Sequence, residues 1–292
     1  MTDFAMRRPA AALPFGLLTL LAGVAMVAAP TMAFVSRESW STEEGGHGPL
    51  VLVTGIWLLY RLWPEAKPLV RPAPTRSVAL LVGVLLPLYV LARITQIVEI
   101  EGYIMYALVL AVLYSVIGLD AMRKLWFPLF YLTFMFPLPE TLVWAATGPL
   151  KIWISQAAIA LLHGVGYPIG GAGVTIQVGQ FQLLVAAACS GMNSIVALTA
   201  ISLLYVYLRH EANWRYAALL VLMILPIAIF ANFVRVIILI LLTYHSGEAA
   251  AQGFLHHFAG LTMFAVALAS IFALDTLLEP LWRRFNARRA AA

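Results

Sequence analysis

The sequence predicts an all-α polytopic membrane protein of about eight transmembrane helices, and three observations predict it. Of its 292 residues, 63% are hydrophobic and only 11% are charged, whereas a water-soluble domain carries about a quarter charged residues. Apolar runs of about 20 residues, the length a helix needs to cross hydrocarbon, recur along the chain. The basic residues gather in alternate gaps between those runs, so the net charge of +5 reports orientation in a bilayer and not a nucleic-acid partner.

Spans are expected near 13–34, 48–63, 77–97, 102–119, 124–139, 189–208, 216–243 and 254–279. The second is short, and Pro137 and Pro139 interrupt the fifth. Arg7 and Arg8 precede the first span, and Arg61, Lys67, Arg71 and Arg76 separate the second from the third. Arg123 and Lys124 follow the fourth, Arg209 and Arg215 the sixth, and Arg283, Arg284, Arg288 and Arg289 the last. These gaps hold 14 of the 18 Lys and Arg residues. The positive-inside rule therefore places them, and both termini, in the cytoplasm. Glu38, Glu43, Glu44, Glu99, Glu101, Glu140 and Glu248 fall on the other side. Arg7-Arg8, the apolar run and Thr31-Met32-Ala33 also fit a cleavable signal peptide, an alternative that leaves the later topology unchanged.

Residues 141–165 mix Lys151, Gln156 and His163 with apolar side chains, the pattern of an amphipathic helix lying in the outer interface. After the Gly-rich stretch 164–173, Val174–Val178 and Phe181–Leu183 alternate around Gly179-Gln180. That pattern reads as a short β-hairpin with a type II′ turn, on the periplasmic side. Its second strand runs almost directly into Cys189.

Cys189 is the only cysteine, so an intramolecular disulfide and a cysteine-type zinc site are both excluded. No metal or cofactor is expected. Cys189 lies 20 residues before Arg209, and Arg235 lies 20 residues after Arg215, each about 30 Å along a helix. His256 lies 27 residues before Arg283, about 40 Å along a tilted helix. The topology alone thus brings a thiol, a guanidinium and an imidazole to one membrane face. Each also has a plainer explanation. A lone membrane cysteine is often a small apolar filler, although a helix start favours its thiolate. Arg235 interrupts an apolar run, where a guanidinium must be paired or snorkel to the headgroups. Asn232 shares its helical face three residues earlier. His256 and His257 point about 100° apart, so only one of them faces a given site.

Three fragments then carry a resemblance: Ala188-Cys189-Ser190-Gly191-Met192-Asn193-Ser194, Ala231-Asn232-Phe233-Val234-Arg235-Val236 and Gly253-Phe254-Leu255-His256-His257-Phe258-Ala259-Gly260. In this order and spacing, most of the chain resembles the exosortases and archaeosortases, polytopic membrane cysteine transpeptidases. Weaker matches are His47-Gly48, Phe136–Pro139 and Pro149-Leu150-Lys151. Ala187 and Asn193 depart from residues common in the family, which leaves the subtype open.

The resemblance implies a single exosortase-like domain over 1–292. It would comprise N-terminal helices (1–140), the interfacial helix and hairpin (141–188), catalytic helices (189–279) and a basic cytoplasmic tail (280–292). It also selects His256 over His257 and implies a catalytic set of Cys189, Arg235 and His256, supported by Asn232, Ser190 and His257. The implied substrates are secreted proteins ending in a short Pro-Glu-Pro-like motif, a transmembrane helix and a basic cluster. These would be cut in PEP-CTERM-type sorting and passed to a surface, exopolysaccharide-linked or lipid-linked acceptor. The enzyme would sit in the bacterial inner membrane with its site at the periplasmic face. Hydrolysis to a free product uses the same residues and stays open as an alternative. A transporter or lipid-binding scaffold is the non-enzyme reading, disfavoured because transporters place ionisable groups near the midplane.

Overall fold

A computed structural model describes residues 15–42, 45–172, 175–184, 194–210, 214–247, 249–251, 253 and 259–291. Contacts divide the chain into two compact units, Met1–Ser41 with Thr54–Phe136, and Thr42–Val53 with Pro137–Ala292. The elements in chain order are α1 (Phe15–Glu38), α2 (Gly48–Ala66), a 3-10 turn (Lys67–Leu69), α3 (Thr75–Thr95), α4 (Val98–Lys124), α5 (Trp126–Tyr131) and a second 3-10 turn (Leu132–Met135). Then follow α6 (Glu140–Gly164), β1 (Ile169–Ala172), β2 (Thr175–Val178), β3 (Phe181–Leu184), α7 (Ser194–His210), α8 (Trp214–Ser246) and α9 (Ala259–Ala291).

Among the described residues, five helical segments are long and apolar enough to cross a membrane: Leu18–Glu38, Thr75–Thr95, Val98–Lys124, Arg215–Ser246 and Ala265–Trp282. The protein is therefore a multi-pass, mainly α-helical membrane protein, although these five do not make up the eight expected spans. The span expected at 48–63 does form a helix, α2, but Arg61, Pro64 and Glu65 make it too polar to be one of the five. The span expected at 124–139 is corrected outright. It is a six-residue helix followed by a four-residue 3-10 turn, ending before Pro137. Its Phe127, Leu129, Tyr131 and Leu132 are buried, so this run is apolar because it fills a protein core. For the span expected at 189–208, the described helix begins at Ser194, and residues 185–193 lie outside the described residues.

In the first unit, α3 and α4 form a tight helical hairpin. Gln96 closes α3 in the left-handed conformation at φ +55°, and its side-chain Nε2 donates to the Arg93 carbonyl at 3.0 Å. That bond satisfies a helix-end carbonyl that would otherwise lack a donor. One turn into α4, Glu101 is fully buried. Its Oε1 accepts from Arg93 Nη1 at 2.6 Å and from Thr31 Oγ1 at 2.7 Å. The Tyr89 hydroxyl lies 2.9 Å from Thr31 Oγ1 and donates to the Val27 carbonyl of α1 at 3.1 Å. α1, α3 and α4 are thereby pinned together through one buried carboxylate, with Arg93 reaching it from a half-exposed position.

Lower on α4, Gly118 breaks the helix at φ +75°, ψ 177°. The break lets the 67–74 connection run alongside, with Arg71 N–H bonded to Ile117 O at 3.1 Å and Ala73 N–H to Ser115 O at 3.3 Å. A Cβ at Gly118 would lie 1.9 Å from the Arg71 carbonyl oxygen.

The second unit is organised around α8. Its lower half packs with Val206 of α7 and Ile271 of α9 through Tyr216, Leu220 and Ile224. Higher up, Ala228 and Ala231 meet Leu198 of α7 and Ala267 of α9. Higher still, Val236 and Ile240 join Ile154, Ala158 and Leu162 of α6 and Ile169, Ile176 and Val178 of the sheet. The 33 residues of α8 span about 50 Å, well beyond the roughly 30 Å of hydrocarbon. α6 and the sheet clothe the excess.

The expected hairpin is present, with β2 and β3 antiparallel and Val178 paired with Phe181 across Gly179-Gln180. Gly179 has φ +57° and Gln180 has a negative φ, the sign pattern of a type II′ turn. The sheet has one strand more than expected, because β1 from the Gly-rich stretch pairs with β2 to give the order β1-β2-β3. Gly170 and Gly171 hid that strand, since glycine has low strand propensity. Gly171 is required all the same, as its Cβ would lie 2.3 Å from the Thr175 carbonyl oxygen.

At the opposite end of the bundle, Asp275 of α9 is buried. It accepts from Tyr205 of α7 through Oδ2 at 2.5 Å and from Tyr216 of α8 through Oδ1 at 2.8 Å. This clasp ties α7, α8 and α9 together.

Two outcomes are expected from thermal unfolding in detergent. Gly118→Ala combines a strained φ with a backbone clash and should lower stability by more than the roughly 1–3 kcal/mol of φ strain alone. Asp275→Ala removes the carboxylate that accepts from the half-buried Tyr205 hydroxyl and the buried Tyr216 hydroxyl and should cost about 1–3 kcal/mol, with Asp275→Asn costing less.

Candidate functional site

The described core of the site is one face of α8. A helix advances 100° per residue, so Ala228, Ala231, Asn232 and Arg235 project from the same side. Ala228 and Ala231 are the residues that meet Leu198 of α7 and Ala267 of α9. Their small side chains let the three helices approach closely, and Asn232 and Arg235 continue that face upward. Asn232 is 0% exposed and Arg235 is 4% exposed. The guanidinium is therefore enclosed by protein and does not snorkel along a lipid-facing surface, the plainer explanation considered for it. Since arginine keeps its proton under all ordinary conditions, the protein holds a fixed positive charge in a buried setting. Enclosing that charge costs several kcal/mol unless hydrogen-bonding partners offset it.

The antiparallel register sets what lies level with this charge. One turn above Ala231 on α8 is Arg235, and one turn above Leu198 on α7 is Ser194, the first described residue of that helix. Two turns above Ala267 on α9 is Ala259, again the first described residue of its helix, while two turns above Ala228 on α8 is Val236. The first residues of α7 and α9 thus come level with Asn232 and Arg235. Immediately beside Arg235, Val236 belongs to the cluster that holds the sheet and α6.

Of the residues singled out in the sequence, Arg235 and Asn232 are described and share one enclosed face. Cys189, Ser190, His256 and His257 lie outside the described residues. What is described are the elements that flank them. β3, ending at Leu184, and α7, starting at Ser194, both pack on α8, as does α9, starting at Ala259.

Two polar centres were not singled out by the sequence reading. Asp275 with Tyr205 and Tyr216 is one, and Glu101 with Arg93, Thr31 and Tyr89 is the other. An acid inside an apolar run was a signal available for Asp275. Glu101 read as an outer-face charge because the α3–α4 hairpin that buries it is not visible in local pattern.

A family model described as Transmembrane exosortase (Exosortase_EpsH) matches residues 40–273, most of the chain. The chain belongs to the transmembrane exosortase family. No curated protein and no solved structure matches it significantly. Membership in the exosortases brings a general role, that of a membrane-embedded transpeptidase or protease that processes sorting signals. In this exosortase, the matched region covers α7, α8 and the first part of α9, and it includes both Asn232 and Arg235.

The enclosed charge leads to an expected outcome. Arg235→Met, which keeps the length of the side chain, should leave an exosortase that still inserts in the membrane but is less stable by about 3–5 kcal/mol, because removing one member of a buried bonded set leaves the others without it. Processing should be lost at temperatures where the variant is still folded. Detergent melting curves compared with a cleavage assay check this.

Proposed function

We propose that this exosortase is a cysteine transpeptidase that cuts the C-terminal tail from secreted proteins and transfers them to an acceptor. The reading extends the family's general role to named residues over one catalytic domain. In it, the basic loops and both termini are cytoplasmic, and the site lies at the periplasmic face of the bacterial inner membrane. The observation that carries it is the enclosure of Arg235 and Asn232 on the α8 face, level with the first described residues of α7 and α9. These two helices follow directly on the segments containing Cys189 and His256. A permanent positive charge at that level suits a reaction that develops negative charge on oxygen.

The sulfur of Cys189, as thiolate, attacks the scissile carbonyl carbon, and its electrons pass to the oxygen to give a tetrahedral oxyanion. Arg235 donates charged hydrogen bonds to that oxyanion, a contribution of about 3–4 kcal/mol where water is excluded. Asn232, one turn below, orients Arg235 and is a positioning residue in this scheme. The N–H of Ser190 adds a further donor. Collapse of the intermediate breaks the C–N bond, and the leaving amine takes its proton from His256, which had accepted it from the thiol. His257 supports the ring of His256. The thioester is then attacked by the acceptor nucleophile, a group linked to exopolysaccharide or lipid at the cell surface, and the thiolate is restored.

The substrate is a protein ending in a short Pro-Glu-Pro-like motif, an apolar helix and a basic cluster. Its helix lies in the bilayer with the motif at headgroup level. The excess length of α8, covered by α6 and the sheet, supports a site raised to that level.

Co-expression with a tailed protein from the same genome tests the proposal. Cys189→Ala should abolish cleavage while the protein still accumulates in the membrane, and unchanged cleavage would refute nucleophilic catalysis. Arg235→Lys keeps the charge but loses the planar fork. It should reduce kcat by about 10²-fold or more, and a near-wild-type rate would reduce Arg235 to a structural ion. Mass spectrometry of the new C-terminus separates transfer from hydrolysis, since added mass marks an acceptor and a free acid marks water.

A further inference from the structure

We infer that the outer edge of β3 is a docking strand for the substrate, which binds as an added antiparallel strand in the segment that Cys189 cuts. The inference rests on the proposed cleavage reaction and assigns how its substrate is held.

The ladder decides which backbone groups are available. β2 and β3 are joined by the two-residue turn Gly179-Gln180, so the flanking pair Val178–Phe181 exchanges both of its hydrogen bonds. Bonded and non-bonded pairs alternate along an antiparallel ladder. Ile176–Leu183 is therefore also bonded, while Gln177–Gln182 and Thr175–Leu184 are not. The β1–β2 register agrees independently. Ala172 pairs with Thr175, which turns the N–H and C=O of Thr175 and Gln177 toward β1. Hence Gln182 and Leu184 direct their backbone N–H and C=O away from β2, toward the opposite side of β3. Among the described residues no segment pairs with that side.

Three features make this edge a site and not an accident of short strands. First, exposed strand edges are ordinarily guarded by lysine, proline or a bulge, and Phe181-Gln182-Leu183-Leu184 carries no charge and no proline, and pairs with β2 residue for residue. Second, the platform is rigid. Ile176 and Val178 of the neighbouring strand are buried with Val236 and Ile240 of α8 and Ile154 and Ala158 of α6, while β1 on the far side lies against α6. Tyr167, just before β1, packs its ring edge-on against Tyr244 near the end of α8 at 5.2 Å. Third, the position suits the chemistry. β3 packs on α8, Val236 in the platform is the residue after Arg235, and the chain leaves β3 five residues before Cys189. A peptide added to β3 is held through its main chain, so recognition tolerates varied sequence and reads only alternate side chains.

The test uses the full-length protein in membranes. Cys189→Ala removes the only cysteine, and Gln182→Cys then supplies a single thiol on the docking strand. A tailed protein from the same genome that the wild-type enzyme cleaves serves as the probe. Single cysteines are walked through six positions around its cleavage site, and copper phenanthroline is the oxidant that takes two electrons from each thiol pair. Facing residues on paired strands have Cβ atoms about 5 Å apart. Disulfide yield should therefore alternate with period two, adjacent positions differing by about fivefold or more.

In the Cys189 enzyme, Leu184→Pro removes an outward N–H without touching the β2 ladder. It should raise KM about five- to tenfold, the value of one hydrogen bond, with kcat nearly unchanged. Cleavage by wild type with a flat or three-to-four-residue cross-linking pattern would overturn edge docking while leaving the cleavage reaction standing. Dominant Gln182→Cys homodimers would overturn it in favour of a second copy on the edge. No cleavage of any tailed protein by wild type would overturn both readings.

Discussion

A guanidinium cannot face hydrocarbon, and the second unit of this protein is arranged around that prohibition. Arg235 stands in a helix that is otherwise almost wholly apolar. Small residues one and two turns below it draw α7 and α9 onto the same face, and the helices so drawn in enclose it. The aliphatic face beside it takes α6 and the sheet. Around that charged residue, from Ala231 to Thr243, no residue of α8 is exposed, whereas lower on the helix Val221, Leu222, Leu225 and Phe230 are.

The same rule recurs wherever the chain carries polar groups within apolar helices. Glu101 is compensated by Arg93 and Thr31, and Asp275 by two tyrosine hydroxyls. In water such ties add little, because solvent offers equivalent bonds. In a lipid-facing protein they select one arrangement of helices, since every alternative leaves an acid or a hydroxyl without a partner. Each centre joins three helices, which makes it a constraint on rotation and register as well as on distance. The clasp at Asp275 and the enclosed face at Arg235 act on the same three helices at opposite ends.

The sheet poses a different problem. α8 outlasts the bilayer by about 20 Å, and its upper turns are as apolar as its lower ones. α6 and the three strands supply the covering that lipid cannot. The same covering brings β3 against α8, and among the described residues no segment pairs with the side of β3 opposite β2.

Hydrophobic run length and charge placement determined, from sequence alone, that the chain is a multi-pass membrane protein, because both depend only on transfer of local segments between water and lipid. The Gly-X turn with its flanking alternation determined the β2–β3 hairpin for the same local reason. Three motifs pointed to the family, and its place inside an apolar run marked Arg235 as unusual. Tertiary structure decided the rest. The apolar run at 126–135 looks like part of a span and is core, because composition does not distinguish burial in protein from burial in lipid. β1 looks like a flexible glycine stretch and becomes a strand only because β2 lies beside it. Whether Arg235 snorkels or is enclosed depends on neighbours 30 or more residues away in sequence, which only the packing of α7, α8 and α9 supplies.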